Sequence, residues 1–211
     1  PLVWEVDSLQ YCNERATSTQ QTGFSFVTQS RSELPDPIGG IIWFGVDDTY
    51  STVYNPMYCG ITKAPKPFAE STADFHNFSW ESAFWAFNWV ANFAYSRYSE
   101  MIEDIRIVQG ELEGEYLASS REVDQAALAL YKEESPRHAV EYLTDYSCSV
   151  ADKTLKRWRK LGEDLLVKYM DGNLKDEHGN VHHPGYPESW YRRIVDETGD
   201  HFRMREMESE E

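Results

Sequence analysis

Cysteine, basic residues and long apolar runs are all scarce in this chain, and each shortage removes a class of function. Its three cysteines, Cys12, Cys59 and Cys148, stand far apart with no CxxC pair and no ligand cluster beside them, so neither a zinc site nor a disulfide framework is indicated. No cofactor is expected. Lys and Arg number 20 against 36 Asp and Glu, a net charge of -16. A field of that sign repels phosphate backbones and anionic lipid heads, which argues against nucleic-acid and membrane-surface partners. The most apolar stretch, residues 84–94, is broken by Asn88 and Asn92 and falls short of the roughly 20 residues a bilayer span needs. No fixed-period repeat appears, which argues against a solenoid. The opening Pro1-Leu2-Val3-Trp4 shows neither an initiator Met nor the basic, apolar and small-residue regions of a signal peptide, so a native amino terminus is not evident. The compartment stays undetermined, with a secreted or periplasmic setting placed ahead of a cytoplasmic one.

What the chain has in quantity is aromatic residues: 7 Trp, 13 Tyr and 10 Phe in 211 residues, enough to build a core largely from rings. The pattern reads as α+β and predominantly α, with strands early and helices late. Residues 13–31, rich in Ser, Thr and Gln, read as a short helix or loop-helix ended by Pro35 and Pro37. Ile41-Ile42-Trp43-Phe44-Gly45-Val46, a turn at Asp47-Asp48-Thr49, and a second β-rich run over residues 51–58 form a β-hairpin signal. Ser79 is placed to cap a helix with Trp80, Phe84, Phe87, Ala91 and Ala94 on one stripe and Trp85, Trp89 and Phe93 on another.

A second helix is expected over residues 99–117 with Ile102, Ile105, Val108 and Leu112 inward. Ser119 with Glu122 forms a capping box for a third helix presenting Val123, Ala127, Leu130 and Tyr131. Ser135-Pro136 opens a fourth, onto which Val140, Leu143, Val150, Leu155, Trp158, Leu161 and Leu165 thread before a stop at Asp171-Gly172. A short helix is expected around residues 189–197, ahead of an acidic, frayed end over residues 206–211. Three regions result: 1–68 with a helix plus the hairpin, 69–172 helical, and 173–211 a polar tail.

Few constellations suggest chemistry. Asp47 and Asp48 are adjacent carboxylates, but they fall where a turn is expected, and the turn is the preferred reading. Four of the six histidines, His178, His182, His183 and His201, lie in the polar tail; adjacent histidines do not easily ligate one ion, so no metal site is expected there. Cys12 and Cys59 are candidate nucleophiles without a local motif, and nothing pairs His76 or His138 with them, so inert thiols are preferred. The aromatic stripe from Trp80 to Phe93 is read as core before ligand pocket. The sequon Asn77-Phe78-Ser79 matters only along a glycosylating route. Arg15, ahead of Ala16-Thr17-Ser18-Thr19-Gln20-Gln21-Thr22, is either a carboxylate-binding fork or a surface charge.

Several blocks carry a resemblance. Asn13-Glu14-Arg15-Ala16-Thr17-Ser18-Thr19-Gln20-Gln21-Thr22-Gly23-Phe24-Ser25-Phe26-Val27, then Pro35-Asp36-Pro37-Ile38-Gly39-Gly40-Ile41-Ile42-Trp43-Phe44-Gly45-Val46-Asp47-Asp48, then Val53-Tyr54-Asn55-Pro56-Met57-Tyr58-Cys59-Gly60 resemble the C-terminal half of the C69 dipeptidases, N-terminal-nucleophile hydrolases. Phe78-Ser79-Trp80-Glu81-Ser82-Ala83-Phe84-Trp85 and Tyr186-Pro187-Glu188-Ser189-Trp190-Tyr191 look like the same family, most like its gut-bacterial members.

The resemblance implies a thiol dipeptidase whose processed N-terminal cysteine attacks the peptide carbonyl while its own α-amine serves as base. Cys12 and Cys59 present no α-amine, so the nucleophile is expected upstream, on an N-terminal catalytic portion of the same precursor, with a peptide as substrate. Residues 1–68 would supply a hairpin to the family's αββα core, the helices a C-terminal extension, and Arg15 substrate or oxyanion support. Such a chain is expected to be inactive alone, and its open sheet edge to favour a partner or a homo-oligomer. Two other readings stay open: a non-catalytic helical interaction module, and a self-contained nucleophile at Cys12 or Cys59.

Overall fold

A computed structural model of the chain describes residues 3–14 and 16–204. Strands β1 (Val3–Val6) and β2 (Leu9–Cys12) form an antiparallel hairpin, with Val6 opposite Leu9. The two residues between them, Asp7 and Ser8, both take positive φ, the backbone that matches a two-residue turn to the twist of its strands. Val3, Trp4, Val6, Leu9 and Tyr11 all stay exposed.

Strands β3 (Phe24–Ser30), β4 (Gly40–Val46) and β5 (Asn55–Tyr58) make an antiparallel sheet in the order β3-β4-β5. The hairpin expected across the Asp47-Asp48 turn is therefore present, with Ile41 opposite Tyr58 and Phe44 opposite Asn55. The helix expected over residues 13–31 is not: Phe24–Ser30 pairs along its whole length with β4, Phe24 opposite Val46 and Ser30 opposite Gly40. The neighbouring strand supplies the backbone partners that a polar segment cannot find alone, and Phe24 and Phe26 alternate with Ser25 as a strand requires. Among the described residues the only helix in this part is the single turn α1 (Asp36–Gly39). Apart from Ser25, every residue of β3 is exposed.

Helix α2 (Ala83–Tyr95) begins after Ser82, one turn later than a Ser79 cap would place it; Ser79 Oγ instead accepts from the Glu81 N–H (3.1 Å) in the preceding turn. It buries one face, Ala83, Ala86, Phe87, Val90, Ala91 and Ala94. Helix α3 (Tyr98–Glu133) is continuous over 36 residues, so the break expected at Ser119 does not occur. Ser119 and Ser120 donate back to the carbonyls of Tyr116 and Leu117, which satisfies them inside a helix as well as at a cap. The inward set runs unbroken through Ile102, Ile105, Val108, Leu112, Tyr116, Val123 and Ala127.

Helix α4 (Pro136–Tyr169) starts at the expected proline and buries Leu143, Val150, Leu155, Trp158, Leu161 and Leu165. It packs closely on α2 because Gly162 leaves room for Trp89: a Cβ there would meet the indole at 2.2 Å. The fold is α+β and more than half helical.

The core has two regions. At one, Ile38, Ile41 and Tyr58 pack with Val123, Ala127 and Leu143. At the other, the ring of Phe87 lies flat on that of Trp158, 4.3 Å between centroids. Between them a buried polar chain joins the layers: the Tyr116 and Thr154 hydroxyls are 2.7 Å apart, and Thr154 donates to Asn55 Oδ1 at 2.6 Å.

The chain divides into two units between Leu165 and Leu166. In the second, Asp171 and Gly172 take positive φ where α4 ends. Two short strands, β6 (Leu174–Lys175) and β7 (Val181–His182), pair antiparallel, and helix α5 (Glu188–Thr198) follows, matching the helix expected there. The acidic end over residues 206–211 lies outside the described residues.

Candidate functional site

Polar groups are densest where β4 ends. The strand's apolar residues carry it into the interior, so the two carboxylates that follow are buried too: Asp47 is 3% exposed and Asp48 7%. The expected turn is there, with Asp47 at φ 66°, a conformation Asp tolerates better than most residues. The surface setting that usually goes with a turn is not.

Each carboxylate is met by neutral donors. Asp48 Oδ1 accepts from Ser18 Oγ at 3.1 Å and from the Tyr50 N–H at 3.2 Å; Asp48 Oδ2 accepts from Tyr95 OH at 2.8 Å. Thr49 Oγ1 donates to Ser18 Oγ. Asp47 Oδ1 accepts from Asn88 Nδ2 at 2.9 Å, and its backbone N–H reaches the Gly23 carbonyl at 2.9 Å. Burial lifts the Asp47 carboxyl above the usual range, against the opposing pull of Asn88. Burial, followed by the neighbouring Asp48 carboxylate, also raises the Tyr95 phenol.

This arrangement holds a loop. Residues 18–23 are fastened at one end by Ser18 to Asp48 and at the other by Gly23 to Asp47. Inside the loop, Thr22 N–H reaches the Thr19 carbonyl and Thr19 N–H reaches Thr22 Oγ1, at 2.9 and 3.0 Å. With both of its oxygens engaged in this way, Asp48 is suited to positioning. Arg15, the sequence's candidate for substrate or oxyanion support, lies outside the described residues; the anchored loop begins three positions after it.

Beside the loop opens a groove of about 340 Å³. Gly23, Phe24 and Phe44 form its sheet side, Phe68 and Phe75 come from the connecting turns, and Phe84 and Trp85 from the start of α2. The aromatic stripe thus divides: Phe87 belongs to the core while Phe84 and Trp85 face the groove. Sequence reasoning treated the stripe as core and gave Phe75 no role.

None of the three thiols is set up as a nucleophile. Cys12 and Cys59 are exposed, on β2 and just after β5. Cys148 is half-buried in α4, its thiol raised by burial and 4.0 Å from the Lys63 carbonyl. The histidines are engaged elsewhere: His138 with Glu134 at 2.8 Å, His76 against the ring of Phe75, His182 near Asp176 and His201 against Phe202. Among the described residues no group of three or more His, Cys, Asp or Glu is arranged to hold a metal ion, and no helix is long and apolar enough to cross a membrane.

An ion pair elsewhere in the first unit is structural. Arg31 contacts Asp124 and donates to the Ile38 carbonyl at 2.6 Å, while Tyr58 OH donates to Asp124 Oδ1 at 2.7 Å. It ties the sheet and α1 to α3.

Comparison with known proteins gives one family match: the model described as Peptidase family C69 matches residues 5–111, just over half of the chain. The match takes in the end of β1, the whole of β2 to β5, the anchored loop, α2 and the start of α3. No curated protein matches the chain.

Proposed function

Because the chain belongs to peptidase family C69, we propose that it works as the C-terminal part of a thiol dipeptidase that hydrolyses the peptide bond of dipeptides and other small peptides. The observation that carries this reading is the family match over residues 5–111, which spans the anchored loop and the groove beside it.

In the proposed reaction a cysteine at the start of the mature enzyme attacks the peptide carbonyl. Its α-amine takes the thiol proton and returns it to the leaving amine; water then cleaves the thioester and releases the acid. Arg15 and nearby backbone donors are proposed to support the oxyanion or the substrate carboxylate.

The nucleophile is placed on an N-terminal portion of the same precursor. Supporting this, Cys12, Cys59 and Cys148 have no histidine partner among the described residues and lie within or just after a strand or helix, where no α-amine is free. The state of β3 supports it as well. One of its edges is unpaired among the described residues, and Phe24, Phe26 and Val27 are exposed. A strand from the N-terminal portion would cover that edge, and the three-stranded sheet would then be one part of the family's layered αββα core.

The test is hydrolysis of a dipeptide panel by the intact protein before and after alkylation with iodoacetamide. Release of free amino acids that alkylation abolishes is the expected outcome, and residues 1–211 alone are expected to release none. Turnover indifferent to alkylation contradicts the thiol mechanism.

A further inference from the structure

We propose that the groove between the sheet and the start of α2 is a binding site for a large apolar side chain standing next to a free α-ammonium group, as at the amino end of a peptide. Taken with the peptidase reading, on which this consequence rests, it makes peptides with an aromatic or long aliphatic first residue the preferred substrate class.

The walls are rings held by one another. Phe44 meets Phe68 edge to face at 5.4 Å and Phe24 stacks on Phe44 at 5.9 Å. Phe84 and Trp85 lie 5.5 Å apart, and the Trp85 indole N–H donates to the Asp74 carbonyl at 3.1 Å, which fixes its plane. At about 340 Å³ the groove lies near the lower end of the roughly 300–1,000 Å³ typical of small-ligand sites, a size suited to one or two residues of peptide. Phe75, 87% exposed, is an uncovered ring among the lining residues.

Charge selects the ligand further. Among the described residues Glu70 and Asp74 are the charged ones that line the groove, and no Lys, Arg or His does so. Hydrogen bonds from the Asn77 amide side chain, then from the backbone N–H groups of His76 and Asn77, hold the Asp74 carboxyl below the usual range, so it stays ionised at neutral pH. Two carboxylates beside aromatic faces attract an ammonium group, through ion pairing and through the rings themselves. They repel a ligand carboxylate. They also oppose the other evident occupant, an apolar strand of a partner segment, because covering them would strand two charges away from water.

The test follows the indole N–H resonance of Trp85, assigned with a Trp85→Phe variant, during titration with three probes. L-Phenylalaninamide carries the ring and the ammonium; N-acetyl-L-phenylalaninamide lacks the charge; L-alaninamide lacks the ring. The first should bind most tightly, the acetylated probe about threefold more weakly for want of an exposed ion pair, and alaninamide about tenfold more weakly for want of the buried ring. Phe75→Ala should weaken phenylalaninamide, and Glu70→Gln should narrow its advantage over the acetylated probe.

Equal binding of all three probes, or binding untouched by both substitutions, overturns the proposal. So does a change of association state on substitution with probe binding unaltered, which would make the groove a protein interface. The two readings fail separately. Probe binding without cleavage of any peptide keeps the groove and removes the peptidase. Cleavage with no preference for an apolar first residue, unchanged in Phe75→Ala, keeps the peptidase and removes the groove.

Discussion

Ser18 donates its hydroxyl to Asp48 Oδ1 at 3.1 Å, fastening the loop before β3 to the end of β4. Asp48 also accepts from Tyr95 near the end of α2, so one buried carboxylate joins a loop, a strand and a helix. Peptide-bond chemistry needs a rigid frame, and under the proposed function this contact supplies part of it beside the groove.

Ser18→Ala should cost about 1–3 kcal/mol of stability, because it leaves a buried acceptor short of a donor. Urea unfolding measures it. Asp48→Ala and Ser18→Ala made together should cost less than the sum of the single changes, since both remove the same bond. Additive losses would mean that Ser18 and Asp48 are not coupled.

How much of this was legible beforehand depended on whether neighbours in sequence or neighbours in space decided the outcome. The β4 and β5 hairpin, the inward residues of α3 and α4, and the stop at Asp171-Gly172 follow from local periodicity and turn chemistry, and they stand as expected. Strand β3 does not: its Phe24-Ser25-Phe26 alternation is short and follows a long polar run, and the strand exists because β4 lies beside it. Ser119 offered a cap that α3 had no use for, since its hydroxyl is satisfied by the carbonyl one turn back. Asp47-Asp48 reads as a turn, which it is, and only the packing around the end of β4 shows that both carboxyls are buried. The groove gathers rings from residues 24 to 85, a grouping no spacing rule reveals.

Asp47 gives a prediction in pH. Burial raises its carboxyl above the unfolded value, so the folded state holds this proton more tightly than the unfolded state does. Stability from this group is therefore fully present below the unfolded value, near pH 4, and is lost as pH rises through the folded one. Asp47→Asn keeps the Asn88 contact and tolerates the positive φ. The variant should match the parent in stability at acid pH and exceed it at neutral pH, in thermal unfolding scans across that range. A difference that does not change with pH would contradict the burial effect.

Arg31 and Asp124 are mostly buried, their side chains 13% and 14% exposed. Arg31→Met leaves the Asp124 carboxylate with the Tyr58 hydroxyl as its one remaining hydrogen-bond partner among the described residues and should cost about 3–5 kcal/mol, the usual penalty for orphaning a buried charge. Tyr58→Phe removes one hydrogen bond and should cost less, about 1–3 kcal/mol. Equal losses in chemical denaturation would show that the ion pair adds nothing beyond packing.

Phe87 and Trp158 separate packing from hydrogen bonding. Phe87→Ala opens a cavity beneath the stacked indole and should cost about 3–5 kcal/mol. Trp158 has a buried Nε1 with no partner among the described residues, a defect whose removal offsets lost packing. Trp158→Phe should therefore cost clearly less than Phe87→Ala, by differential scanning calorimetry. The reverse order would show that the unpaired N–H carries no penalty.

The most direct measurement replaces Cys12, Cys59 and Cys148 together by serine in the intact protein and follows dipeptide hydrolysis with and without iodoacetamide. If the attacking thiol lies outside residues 1–211, hydrolysis persists in the triple variant and alkylation still abolishes it. If hydrolysis disappears in Cys12→Ser or Cys59→Ser while the circular dichroism spectrum is unchanged, the nucleophile is one of this chain's own thiols and the proposed division of labour is wrong.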